Sequence, residues 1–206
     1  DAASGLNTFD AVGKTALGGL DLSDDDLKLY VMNLYDRQLY EIPLDAPPTV
    51  ANIRHTPVPL NQNTLSQNGC SNPDTDIRPF AVEYYQGQLY VGMVCSGQSS
   101  PASPEFATWT DTNNDSLYTL GEPYTDLNNN QKMDFKVDSQ LHAYVYTVDP
   151  ATLQFNPTPV LAFPLNYPAL SAHSGVRANW NPWSTTFIAY EGSRFAYPQP
   201  MLTGIT

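Results

Sequence analysis

The sequence predicts an all-β protein made of antiparallel four-stranded units, the blades of an incomplete β-propeller, interrupted by a calcium-binding loop insertion. Three observations predict it. Apolar and polar residues alternate with period two along much of the chain, while helical periodicity is almost absent. The 206 residues include 13 Tyr and 18 Pro, a composition suited to short strands joined by punctuated turns. The tripeptide Leu-Tyr-Val stands at 29–31 and again at 89–91. Each copy follows an apolar strand and precedes a Tyr-rich one, as expected for repeated units of roughly 40–50 residues. The alternative is a hairpin repeated within an ordinary sandwich.

The elements follow in order. GLDLS at 19–23 reads as a first strand, SDDDLK as a tight turn, and LYVMNLY at 29–35 as a second strand. Asp36 and Arg37 turn the chain into QLYEIPL at 38–44. Residues 50–60 supply a fourth, outer strand, where Pro57 and Pro59 mark an edge that tolerates a missing N–H. The same grammar returns with PFAVEYY at 79–85, a Gln86-Gly87 turn, and LYVGMVCS at 89–96. After a polar insertion come HAYVYTV at 142–148, a DPATLQ turn, and an outer strand around 160–164. Blade-like units therefore occupy about 16–60 and 76–165, with a weaker third at 170–206. Closed propellers need at least about four blades. The chain reads as one arc, its exposed edges covered by other blades of the parent chain or by a protein partner.

The insertion at 111–138, DTNNDSLYTLGEPYTDLNNNQKMDFKVD, reads as a calcium site. Asp111, Asn113, Asp115, the Leu117 carbonyl and Glu122 fall at the first, third, fifth, seventh and twelfth positions of an EF-hand-type loop. Asp126, Asn128, Asn130, the Lys132 carbonyl and Asp134 repeat the alternation, with Asp138 one place beyond the usual bidentate acid. Oxygen ligands at this spacing suit a hard cation that takes six to eight of them. Ser116 replaces the turn glycine and no helices flank the loops, which points to a calcium-stapled insertion and not a helix-loop-helix sensor. The bland alternative is a solvated loop of turn formers.

A formal charge of −12 argues against nucleic acid, whose phosphates would be repelled. No apolar run reaches the roughly eighteen residues of a membrane helix. The chain opens at Asp1 without Met, which reads as a processed form or an excised piece. Cys70 lies in a polar loop and Cys95 ends an apolar run. They are compatible with one disulfide, or with two free thiols; with calcium, a disulfide points to a secreted or cell-surface setting.

The phrases GGLDLSDDDLKLYVMNLYDRQLYEIPL, DIRPFAVEYYQGQLYVGMVCS, FPLNYP and YPQPMLT resemble a family of bacterial surface proteins. These are large secreted proteins with a predicted propeller region, often accompanied by Sdr-type B repeats or other adhesin-like modules. The resemblance extends over about 17–203 and implies location and fold, with no catalytic residues to carry over. In that family YPQPMLT looks like the opening strand of a further blade.

No GxSxG elbow, HExxH, CxxC pair or phosphate-binding glycine loop is present. His55, His142 and His173 each stand alone in their segments. Trp180 and Trp183, in NWNPW, offer an aromatic platform for a glycan or, alternatively, pack between blades. The expected function is a non-catalytic extracellular scaffold or ligand-binding module. The alternatives are a calcium-dependent lactonase, dehydrogenase or hydrolase-type propeller and a lectin-like binder.

Overall fold

The computed structural model describes residues 8–60, 65, 69–99, 110, 112, 123, 141–165, 167–169, 178–185 and 198–205. One helical turn, α1 (Thr8–Ala11), leads into β1 (Leu17–Leu22), β2 (Lys28–Asn33), β3 (Gln38–Pro43) and β4 (Arg54–Pro57). These four pair antiparallel in chain order as a first sheet. A second single turn, α2 (Pro73–Asp76), precedes β5 (Ile77–Tyr85), β6 (Gln88–Cys95), β7 (His142–Asp149), β8 (Gln154–Phe155) and β9 (Leu161–Pro164). In this second sheet β8 and β9 share the position beyond β7. β8 pairs with Val148 and Asp149, and β9 pairs with residues His142 to Val145. Two short strands, β10 (Pro168–Ala169) and β11 (Ala178–Asn179), form a separate ladder.

Local chemistry explains the turns. Gln86 and Gly87 both have positive φ, the hairpin geometry that matches strand twist. Pro79 sits in β5, an edge strand whose register shifts between Pro79 and Ala81, as a residue without an N–H requires. The outer strand expected over 50–60 is shorter, because the Asn52 Oδ1 accepts hydrogen bonds from the Thr49 N–H at 2.6 Å and its hydroxyl at 3.1 Å. That side chain competes with strand pairing and holds a turn there. β8 begins inside what reads in sequence as turn: Leu153, at φ 60°, lets the chain double back so that Phe155 pairs with Val148.

Paired residues of an antiparallel ladder point to the same face, so register assigns the faces. Tyr30, Met32 and Leu39 of the first sheet pack with Leu89, Val91, Met93, Tyr144, Tyr146 and Val148 of the second in one buried core. Tyr30 stacks on Tyr84 at 5.6 Å. Burial drives the Tyr144 hydroxyl well above its ordinary value and raises that of Tyr146 to about 12. Gly19 lets β1 run close to β5, since a Cβ there would lie 2.7 Å from both the Phe80 oxygen and the Val82 nitrogen. Beside it, Asp21 Oδ2 accepts a hydrogen bond from the Tyr84 N–H at 2.7 Å.

At the far side of the same core, Glu41 is 5% exposed and pairs with Arg54, whose Nε donates to Oε1 at 2.8 Å and whose Nη2 donates to Oε2. Lys28 Nζ lies 3.5 Å from the same carboxylate. Arg54 also donates to the Ala151 and Pro150 carbonyls, at 2.7 and 3.0 Å, so it joins β4 to the turn after β7. Burial raises the Glu41 carboxyl, but the Arg54 hydrogen bond and charge outweigh it and hold it below the ordinary 4.5.

Removing Arg54 leaves a buried carboxylate short of its main partner. Arg54→Met is expected to cost about 2–3 kcal/mol in urea denaturation at neutral pH, the part-exposure of Arg54 tempering the effect. A second substitution, Glu41→Gln, restores much of the loss. Because the folded carboxyl lies below its unfolded value, its contribution is present above that value and vanishes as pH falls through the folded one. Denaturation midpoints followed from neutral to acid pH should fall for the natural chain and flatten in Arg54→Met.

Candidate functional site: a two-arginine cleft beside the disulfide

Cys70 and Cys95 are joined by a disulfide across 25 positions, with Cα atoms 5.7 Å apart. The bridge ties the chain before α2 to the end of β6. Gly69, at φ +97°, lies directly against the ring of His142, where a Cβ would collide; His142 is paired across the ladder with Cys95. α2 begins three positions after Cys70. The buried Asp76 accepts from the Ser99 N–H at 2.9 Å and from its hydroxyl at 2.8 Å, and its carbonyl accepts from the Ser96 N–H at 2.7 Å. Disulfide, glycine contact and buried carboxylate together seat α2 on the second sheet.

Next to α2 opens a cleft of about 610 Å³, bordered by Lys14, the 34–37 turn, α2, Arg78, Gln98, Ser99 and Thr185. That volume lies in the range of small-molecule sites. Three of the chain's nine basic residues line it: Lys14, Arg37 and Arg78. Lys14 is ion-paired with Asp10. The two arginines have no ion pair with any described residue. Arg37 Nη1 reaches the Ile77 carbonyl only at 3.5 Å. Arg78 Nη2 donates to Gln98 Oε1 at 3.0 Å, and its guanidinium lies 5.8 Å from the centre of the Trp183 ring. Its buried Nε has no hydrogen-bond partner among the described residues. Burial, and then the charge of Arg37, hold Arg78 below its ordinary value, while Asp76 and Asp10 act in the opposite sense. Tyr35, at the cleft's edge, is 78% exposed.

None of the described candidate site residues read in sequence lines the cleft itself. Trp183 is 6% exposed. Its backbone N–H donates to the Ser96 carbonyl at 2.9 Å, its indole N–H donates to the Pro200 carbonyl at 2.8 Å, and Gly13 presses on the ring. It is a packing residue that supports Arg78, and it offers no open face to a sugar. Trp180 packs against Val94, Leu141, Ala143 and Leu165. His55 stacks on Tyr40, with Nδ1 2.6 Å from Gln38 Oε1, and His142 stacks on Tyr144. His173 and the proposed calcium ligands (Asp111, Asn113, Asp115, Leu117, Glu122, Asp126, Asn128, Asn130, Lys132, Asp134 and Asp138) lie outside the described residues. Among the described residues no group of three or more His, Cys, Asp or Glu is placed to hold a metal ion. Arg37 and Arg78 were not singled out in sequence. Each stands in a turn or at a strand start with no motif, and the scarcity of basic residues is the one signal that marks them.

No family model and no solved structure matches the chain. It is 26% identical over 200 residues to colossin-A of Dictyostelium discoideum, covering 94% of this chain and 1% of that protein. It is 32% identical over 115 residues to colossin-C of the same organism, covering 53% of this chain and 11% of that protein. The chain therefore spans a small part of the curated relatives it matches. They also correct the expected kinship: the similar proteins come from a eukaryote, and neither a bacterial origin nor an adhesin-like parentage holds. No helix among the described residues is long and apolar enough to cross a membrane.

The disulfide and Gly69 make the seating of α2 testable. Replacing both cysteines by Ser is expected to cost about 3–4 kcal/mol, the chain-entropy value for a closed loop of this size. Gly69→Ala combines backbone strain with the His142 collision and should cost about 1–3 kcal/mol. Urea denaturation with and without reductant measures both; a natural chain indifferent to reductant would contradict the assignment.

Proposed function

We propose that the chain is a non-catalytic module of a secreted or surface-displayed protein, an arc of a β-propeller that other sheets of its parent protein complete, with calcium holding its 111–138 insertion. What carries this reading is that both sheets carry apolar side chains on both faces. An isolated two-sheet sandwich keeps polar outer faces. Here the register puts Leu20, Leu22, Leu29, Tyr40 and Ile42 on the outward face of the first sheet, around a buried Val31 and beside Asn33, Gln38 and His55. Leu20 and Leu22 are 57% and 41% exposed. The outward face of the second sheet is already covered, with Val94, Ala143 and Leu165 beneath Trp180 and Leu202. A sheet packed on both faces is the environment of a blade inside a propeller.

Three further observations support it. Both sheets run in chain order from their first strand, and β1 lies beside β5. Relatives much longer than the chain suit a module embedded in a large protein. The disulfide suits an oxidising compartment. For calcium, the support is the ligand spacing together with a backbone hydrogen bond of 2.8 Å from Thr110 to Pro123. That bond brings together the residues flanking Asp111 and Glu122, the two ends of the first ligand series.

If the first sheet's outward face receives another sheet, the chain alone should self-associate through it. Sedimentation velocity is expected to show concentration-dependent dimers that vanish in Leu20→Asp/Leu22→Asp, with the far-ultraviolet circular dichroism unchanged. A natural chain that stays monomeric at high concentration would remove this part of the reading. Calcium is expected to raise the thermal midpoint relative to chelator, with half-saturation at roughly 0.1–1 mM, as for extracellular modules. Identical melts in calcium and chelator would remove the calcium part.

A further inference from the structure

The cleft between the 34–37 turn and α2 has a chemistry that scaffolding does not use. Arg37 and Arg78 both line it, with no carboxylate in ion-pair contact among the described residues. Like charges brought together at a partly buried site destabilise one another, and a buried guanidinium N–H without a partner forfeits a hydrogen bond. The Arg78 Nε is such a group. The side chain is also held in place, clamped by Gln98 on one nitrogen and by the Trp183 ring. A pre-positioned guanidinium loses little entropy on binding.

Two planar guanidiniums match a carboxylate, which takes paired N–H donors in a fork. Around them stand hydroxyl and amide groups, Thr15, Thr75, Ser99 and Gln98, and the exposed ring of Tyr35. An aromatic ring beside polar side chains suits the C–H face and hydroxyls of a pyranose. Asp74 and Asp76 also border the cleft. Asp76 is committed to Ser99, and the two acids disfavour a highly charged anion such as phosphate relative to a monocarboxylate.

We propose that this cleft binds an acidic monosaccharide, its carboxylate on Arg37 and Arg78 and its ring against Tyr35. The site is independent of the propeller and calcium readings, and it involves no bond making or breaking.

Titration of the natural chain with glucuronate and N-acetylneuraminate, followed by isothermal calorimetry and by ligand-observed nuclear magnetic resonance, tests it against glucose, acetate and inorganic phosphate. Acidic sugars are expected to bind, acetate more weakly, and glucose and phosphate not measurably. Arg37→Gln should weaken the acidic sugar roughly tenfold. Tyr35→Ala should weaken the sugars while leaving acetate unchanged. Both substitutions are at part-exposed or exposed positions, so folding is checked by thermal melts and is expected to persist even if Arg78→Gln fails to fold. No binding of either acidic sugar would overturn the proposal. So would binding unaffected by Arg37→Gln, or binding of phosphate as tight as that of the sugars.

Discussion

A sheet that carries apolar side chains on both faces must be covered twice, and this requirement organises the molecule. The second sheet meets it within the described residues: one face closes on Tyr30, Met32 and Leu39 of the first sheet, the other on Trp180 and Leu202. The fit is close enough that a Cβ at Gly92 would lie 2.7 Å from Leu202. The segment 198–205 is thus a structural layer and not a tail. Its carbonyls at Pro198 and Pro200 receive the Asn181 N–H and the Trp183 indole N–H, so covering the sheet also builds the wall behind Arg78.

Apolar surfaces slide, whereas polar groups select one alignment. Two contacts do this at opposite margins of the shared core. Asp21 takes the Tyr84 N–H, which occupies a free strand edge, and Arg54 divides its donors between Glu41 of its own sheet and the Pro150 and Ala151 carbonyls of the other. Neither contact is strong by area. Each is expensive to break, because a carboxylate or a backbone group would be left without its partner in a poorly solvated place.

The cleft is a consequence of how these layers end. α2 is seated by the Cys70–Cys95 bridge, by Gly69 on His142 and by Asp76 on Ser99. The 34–37 turn projects from the first sheet, with Arg37 at φ 56°, and the two bring a pair of guanidiniums to one hollow in a strongly acidic chain. Such a juxtaposition spans both sheets.

Strands and hairpin turns were legible in the sequence because period-two alternation and turn chemistry act over a few residues. Leu-Tyr-Val at 29–31 and 89–91 became the equivalent second strands β2 and β6, and Gln86-Gly87 became the turn between β5 and β6. Misreadings arose where a side chain competed with the backbone, as Asn52 did at 50–53, or where a non-glycine residue took a left-handed conformation, as Leu153 did before β8. The sequence by itself determined an antiparallel all-β chain with two four-position units, since alternation and turns are local properties. Only the tertiary structure decided that Cys70 meets Cys95, that Trp183 is wall and not platform, and that Arg37 and Arg78 share a cleft. Those outcomes depend on which faces pack together, and packing is a relation between segments that no local pattern encodes.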